Sequence, residues 1–121
     1  MAKTVCIIDD DLSLQLVLEI ALHDAGFKVV AAGDGVEGLK LLQTIQPDLV
    51  LCDVMMPQMD GVQFFNHIRE RLQGEGVPII IMTALARKPW FTDLEDEGAV
   101  ILQKPFNMER LMQLVHALVD E

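Results

Sequence analysis

Acidic, hydroxyl and basic side chains stand directly after four short apolar runs of this sequence. In chain order they are Asp9, Asp10, Asp53, Thr83 and Lys104. Carboxylates are ligands of hard divalent cations, while hydroxyl and ammonium groups donate hydrogen bonds to phosphate oxygens. Phosphoryl transfer needs both, because its transition state spreads negative charge over three oxygens. These residue types predict a phosphoryl-transfer site, provided that the fold brings them to one place.

Asp53 follows the apolar run at 49–52, which has the composition of a buried strand. An uncompensated charge there costs several kcal/mol or more. If the first and third strands are neighbours, their carboxylates start from backbones about 4.8 Å apart, and at that range two charges repel by on the order of 4 kcal/mol at an effective dielectric of 20. Mg²⁺ is the simplest compensation, because it accepts few carboxylates and leaves room for water and phosphate. We therefore expect Asp53 to lie against Mg²⁺, with Lys104 as a second counter-charge.

Each equatorial oxygen of a transferring phosphoryl group would then have a partner. Mg²⁺ would take one oxygen, Lys104 a second, and the Thr83 hydroxyl with the backbone N–H of Ala84 a third. Asp53 would be the nucleophile and would form an acyl phosphate. The expected chemistry is transfer of a phosphoryl group onto this aspartate.

Short β-branched runs alternate along the chain with segments of helical period, which predicts the elements that must position these groups. The strand candidates are Thr4–Ile8, Lys28–Ala32, Leu49–Cys52, Val77–Met82 and Ala99–Gln103. Helices are expected over 12–25, 34–46, 61–73 and 89–97, and after Asn107. This alternation implies a parallel sheet with helices on both faces and right-handed crossovers. In such sheets ligands bind outside the carboxyl ends of the strands, where the polar residues fall.

Helix periodicity also predicts which side chains are buried and which residues begin the helices. The first helix is expected to bury Leu16, Val17, Ile20 and Ala21. The third is expected to bury Val62, Phe65, Ile68 and Leu72, and the last Met108, Leu111, Val115 and Leu118 or their neighbours. Asp11, Asp34 and Asn107 are expected at helix starts, where they satisfy backbone N–H groups.

Composition narrows the class of protein. With 121 residues, of which 51% are hydrophobic, the chain fits a single domain over 1–121. Its net charge of −10 argues against nucleic acid as a direct partner of this domain, and no apolar run is long enough to span a membrane. We therefore expect a cytoplasmic location. Cys6 and Cys52 lie within apolar strands and are expected to be small buried side chains rather than metal ligands.

Four segments resemble the receiver domain of two-component response regulators, in order and spacing, across essentially the whole chain. They are IIDDD at 7–11, DVMMPQMDG at 53–61, TA at 83–84 and KPF at 104–106. The resemblance implies a flavodoxin-like (CheY-like) α/β fold, in which a doubly wound five-stranded parallel sheet of order 2-1-3-4-5 carries five helices on both faces. It also implies a cis peptide between Lys104 and Pro105.

The resemblance assigns a role to each site residue. It implies that Asp9, Asp10, Asp53 and the Met55 backbone carbonyl bind Mg²⁺, that Asp53 accepts the phosphoryl group, and that Thr83, Ala84 and Lys104 contact that group. The donor would be a sensor histidine kinase or a His-containing phosphotransfer protein. The implied function is a conformational signalling switch, not an enzyme, with at most autophosphatase activity. An output partner or covalent output domain would read the face of the fourth helix, fifth strand and fifth helix, and a phosphorylation-dependent dimer fits the same scheme.

Two departures from the family pattern bear on the switch. Ile101 stands where the family usually has Tyr or Phe, three residues before the lysine, and a β-branched aliphatic side chain cannot copy an aromatic flip. We therefore expect a weaker switch, or one that works through the loop and the fourth helix. The segment at 83–98 also predicts a short or late fourth helix.

Two other functions remain open from the sequence. A phosphohydrolase of the haloacid dehalogenase type would use the same aspartyl chemistry, but it needs a second acid two residues after the nucleophile, and that residue is Met55. An interaction module that never needs phosphate is suggested by Ile101.

Overall fold

The computed structural model describes residues 2–54, 61–85 and 88–119, and in them strands and helices alternate. The elements are β1 (Thr4–Ile8), α1 (Leu12–Asp24), β2 (Lys28–Ala32), α2 (Gly35–Leu42), β3 (Leu49–Asp53), α3 (Gly61–Gly74), β4 (Ile79–Thr83), α4 (Pro89–Asp96), β5 (Ala99–Gln103) and α5 (Met108–Val119). The predicted order is confirmed. The largest differences in bounds are that α2 ends four residues earlier than expected, at Leu42, and that β4 begins two residues later, at Ile79.

The strands form a parallel sheet in the order β2-β1-β3-β4-β5. The predicted fold, a flavodoxin-like α/β arrangement, is confirmed. β3 and β4 are buried at every position. Helices cover both faces of the central strands, which explains why their sequences are apolar without alternation.

Apolar side chains fill the space on both sides of the sheet. One cluster joins the sheet to α2, α3 and α4, and the other joins it to α1 and α5. α2 approaches the sheet closely at Gly38, where a Cβ would lie 2.7 Å from the Ile8 side chain. The Cys6 and Cys52 side chains are buried, as expected, and burial raises the pKa of Cys6 to about 12. No helix in the described residues is long and apolar enough to cross a bilayer.

The expected helix starts are present. The Asp11 carboxylate accepts the Ser13 and Leu14 N–H groups at the start of α1. Asp34 accepts the Glu37 N–H at 2.8 Å, and Asn107 accepts the Arg110 N–H at 2.6 Å. These short-range patterns depend only on neighbouring residues, so the sequence predicts them well.

The predicted buried face of α1 is wrong at three of its four residues, and the fourth, Ala21, is half-buried. Leu18 and Leu22 are buried, whereas Leu16, Val17 and Ile20 are 56%, 51% and 55% exposed. The helix is apolar on nearly every side, so periodicity alone does not choose a face. Gln15, a polar residue, lies on the side that faces the sheet, where its amide donates to the carbonyls of Asp9 and Ala32.

The other two predicted faces are largely confirmed. In α3, Phe65, Ile68 and Leu72 are buried as expected, while Val62 is half-buried and Phe64 is buried in addition. In α5, Leu111 and Val115 are buried, Met108 and Leu118 are half-buried, and Val119 completes the face.

Candidate functional site

Strand pairing explains how two of the acids meet. β1 and β3 are neighbours, and Ile8 pairs with Cys52, so Asp9 and Asp53 follow at the same level of the sheet edge. One carboxylate oxygen from each of Asp9, Asp10 and Asp53 lies within 4.8 Å of the others. Asp9 is fully buried, Asp53 is 7% exposed and Asp10 is exposed. The three predicted acids therefore form one cluster that opens to solvent on the Asp10 side.

Lys104 brings the positive charge to this cluster. Its Nζ donates to Asp53 Oδ1 at 3.1 Å and lies 3.8 Å from Asp9 Oδ2. The Lys104 backbone N–H donates to the Thr83 carbonyl at 2.6 Å, which holds the segment after β5 against β4. The peptide between Lys104 and Pro105 is cis, as the resemblance implied.

Thr83 and Ala84 follow β4 on the same edge. Thr83 is fully buried, and its Oγ1 accepts the Leu85 N–H at 3.0 Å. Ala84 is exposed, beside the pocket that Lys104 and Phe106 help to line. Both residues lie at the sheet edge that carries Lys104, and their contact with a phosphoryl group stays a prediction.

Gln103 is a residue near the site that sequence reasoning missed. Its Nε2 donates to the Leu85 carbonyl at 2.9 Å, so it links β5 to the loop after β4. The signal was a polar residue on the strand face that Ala99 and Ile101 share.

Burial dominates the electrostatics of the acids. It raises the pKa of Asp9, which the Asp11 N–H lowers and the neighbouring Asp53 charge raises further. Burial likewise raises the pKa of Asp53, although the Lys104 ammonium acts in the opposite direction. One ammonium group therefore does not fully compensate the two buried carboxylates.

The donor set fits a hard divalent cation. Asp9 Oδ1 accepts the Asp11 N–H at 2.9 Å, but the buried Oδ2 has no hydrogen-bond partner among the described residues. Such an oxygen is costly unless a cation or water satisfies it. Carboxylates of two further acids lie beside it, which is the all-oxygen environment that Mg²⁺ prefers. Met55, Pro57 and Asp60, which the sequence placed around the site, lie outside the described residues.

Buried carboxylates that face an ammonium group at the carboxyl edge of a doubly wound sheet, with a buried threonine at the end of the neighbouring strand, are typical of α/β domains that handle phosphoryl groups. A family model described as the response regulator receiver domain matches residues 5–116. The chain belongs to this family of two-component response regulators. Receiver domains are signalling switches that bind Mg²⁺ at an acidic pocket and have histidine kinases as partners.

Curated relatives agree with the family assignment. The chain is 34% identical over 116 residues to the DNA-binding dual master transcriptional regulator RpaA of Synechocystis sp., covering 95% of this chain and 48% of that protein. It is 34% identical over 118 residues to the DNA-binding response regulator MtrA of Mycobacterium tuberculosis, covering 97% of this chain and 50% of that protein. The chain thus spans about half the length of the curated relatives it matches.

Solved structures match over nearly their full length. The chemotaxis protein CheY4 of Vibrio cholerae has a TM-score of 0.88 at 31% identity, covering 98% of this chain and 99% of that one. The response regulator TrrA of Thermotoga maritima, solved in complex with Mg²⁺ and BeF, has a TM-score of 0.82 at 28% identity, covering 96% of this chain and 98% of that one.

Proposed function

We propose that this chain is one receiver domain over 1–121, in which Asp53 accepts a phosphoryl group from a phosphohistidine. The observation that carries the proposal is the buried Asp53 carboxylate, held 3.1 Å from the Lys104 ammonium beside an Asp9 oxygen that lacks a hydrogen-bond partner. Asp9, Asp10, Asp53 and the Met55 carbonyl would hold Mg²⁺. When bound, Mg²⁺ supplies positive charge to the phosphoryl oxygens.

Each side chain of the site has its own role in transfer of the phosphoryl group. An Asp53 oxygen attacks phosphorus, the new P–O bond forms as the P–N bond to the donor imidazole breaks, and the bonding electron pair leaves with that imidazole. Lys104, which already faces Asp53, neutralises one phosphoryl oxygen. The Thr83 hydroxyl and the Ala84 N–H donate to another. Because Asp53 is largely buried, few water molecules reach the nucleophile before the donor does.

The proposal includes partners and a location. The donor is a sensor histidine kinase or a His-containing phosphotransfer protein. An output partner or covalent output domain reads the face of α4, β5 and α5, where phosphorylation-dependent dimers also form. The protein acts in the cytoplasm, and the only hydrolysis expected of it is slow loss of its own phosphoryl group.

Phosphorylation by a small donor tests the assignment. With acetyl phosphate and Mg²⁺, the protein should gain the mass of one phosphoryl group, and Asp53→Asn should abolish the gain. Asp11→Asn is the matched control, because it removes the same charge from an exposed helix cap nearby and should label normally. Undiminished labelling of Asp53→Asn would refute the assignment. Multiple turnover on small phosphate esters would instead favour a hydrolase, and equally tight partner binding by Asp53→Asn would favour a phosphate-independent module.

A further inference from the structure

We propose that Gln103 is a positioning residue for phosphoryl binding. Its side-chain amide clamps the loop after β4 to β5, and so fixes the Thr83 hydroxyl relative to the Lys104 ammonium. This inference rests on the proposed function and deepens it, because it names what aligns two groups that must contact the same phosphoryl group.

Two hydrogen bonds in series lead from β5 to the Thr83 hydroxyl. The Gln103 amide donates to the Leu85 carbonyl at 2.9 Å, and the Leu85 N–H donates to Thr83 Oγ1 at 3.0 Å. A third bond, from the Lys104 N–H to the Thr83 carbonyl, runs parallel to them at 2.6 Å. The segment 83–85 is therefore held at its first and last residues by Lys104 and Gln103.

The strand register places Gln103 where it can act in this way. Gln103 is paired with Thr83 across β4 and β5, and its side chain lies on the strand face of Ala99 and Ile101. Ile101 belongs to the same apolar cluster as Leu85, and its side chain has no polar atom with which to hold the loop. On this face the polar link to the loop comes from Gln103, two residues further along the strand.

The hydroxyl geometry explains why the clamp matters for an anion. A threonine hydroxyl has one proton to donate and two lone pairs that accept. Because Thr83 Oγ1 accepts the Leu85 N–H, its own proton remains for a phosphoryl oxygen. Without the Gln103 amide, the loop would have to be ordered when the anion binds, and that ordering weakens binding.

The expected effect is modest and selective. Gln103 is exposed, and the net value of one neutral hydrogen bond corresponds to about a twofold to tenfold change in an equilibrium constant. The change should appear in the binding of a phosphoryl analogue. It should not appear in the binding of Mg²⁺, because Gln103 contacts none of the three carboxylates.

Calorimetric titration of Gln103→Met tests the clamp, since methionine keeps the length of the side chain and removes its donor. In saturating Mg²⁺, the variant should bind beryllofluoride about twofold to tenfold more weakly than the wild type, with unchanged Mg²⁺ affinity. Gln113→Met, at an exposed glutamine of α5, is the matched control and should leave both affinities unchanged.

The other outcomes are decisive as well. Beryllofluoride binding that equals or exceeds wild-type binding overturns the clamp. Parallel losses in beryllofluoride affinity, Mg²⁺ affinity and the midpoint of urea unfolding show a merely structural contact and also overturn it. If wild-type protein with Mg²⁺ does not bind beryllofluoride, both the proposed function and the role of Gln103 are refuted. If the wild type binds and Gln103→Met binds equally well, the clamp alone fails.

Discussion

Replacing Asp9 by Asn should stabilise the metal-free protein and remove its response to Mg²⁺. Asparagine keeps the size of the side chain and the oxygen that accepts the Asp11 N–H. It removes the negative charge from the buried Oδ2, which has no hydrogen-bond partner among the described residues. A substitution that improves the folded state while disabling a ligand site is expected where the site itself is destabilising.

Three interactions of Asp9 set the magnitude. Repulsion from an Asp53 oxygen up to 4.8 Å away amounts to about 3.5 kcal/mol at an effective dielectric of 20. Attraction to Lys104 at 3.8 Å amounts to about 4.4 kcal/mol on the same scale, so the two nearly cancel. What remains is the extra cost of desolvating a charged carboxylate rather than a neutral amide, about 1–3 kcal/mol. The free energy of unfolding should rise by about that amount, or roughly 4 °C in Tm per kcal/mol.

Urea unfolding followed by circular dichroism, in EDTA and in excess Mg²⁺, measures both effects. At a Mg²⁺ concentration one hundred times its Kd, the wild type should gain about 2.7 kcal/mol. Asp9→Asn should gain almost nothing. Asp11→Asn removes the same charge from an exposed cap, where Asn serves equally well, and should stay within about 0.5 kcal/mol of the wild type in both conditions.

Two results would refute this reasoning. If Asp9→Asn is less stable than the wild type in EDTA, the carboxylate is compensated by something other than a cation. If the variant gains as much from Mg²⁺ as the wild type does, Asp9 is not a ligand. Similar stabilisation by Asp11→Asn would mean that relief of overall negative charge, rather than the buried oxygen, explains the effect.

Two further predictions concern the packing of α1 and the effect of pH. Leu18→Ala should lower the free energy of unfolding by about 2–5 kcal/mol because Leu18 is fully buried, while Ile20→Ala should change it by less than about 0.5 kcal/mol; equal losses in urea unfolding would contradict the α1 packing. Burial raises the pKa of Asp9 and of Asp53 above the ordinary value of 3.8, so the folded protein binds protons more readily than the unfolded chain does. Each group therefore contributes stability below pH 3.8, and this contribution is lost as the pH rises through the pKa that the group has in the folded protein. Metal-free wild type should therefore lose stability relative to Asp9→Asn as pH rises above the ordinary pKa of 3.8, and a constant difference in urea unfolding would contradict this.

The site was predictable because strand direction fixes which residues share an edge. Parallel strands place all their carboxyl ends on one side, so the residues that follow each strand must converge there. The convergence of Asp9, Asp53 and Lys104 could be predicted from the strand bounds and the adjacency of β1 and β3 alone. That adjacency came from the family resemblance, since the order of strands in a sheet is not encoded in local periodicity.

The parts that failed depend on choices between nearly equal local patterns. In α1, leucines and other apolar residues occupy several rows, so local periodicity does not choose the row that faces the sheet, and it does not predict that Gln15 contacts two carbonyls there. The Gln103 contact was missed for a related reason. Whether a strand-end glutamine reaches a neighbouring loop depends on the path of that loop, which the composition of the segment at 83–98 does not define.

Burial of the acids lowers the stability of the folded protein, but the same burial strengthens the electrostatic interactions that the site can make. In a site of low effective dielectric, a cation and an incoming phosphoryl group interact more strongly with Asp9, Asp53 and Lys104 than they would in water. The sheet tolerates this cost in folding free energy because two neighbouring strands, β3 and β4, are buried along their whole length. Binding energy released at the acids can then act on the segment from Thr83 to Leu85, which hydrogen bonds from Gln103 and Lys104 tie to the end of β5. That the switch works through this loop and α4 rather than through Ile101 stays a prediction.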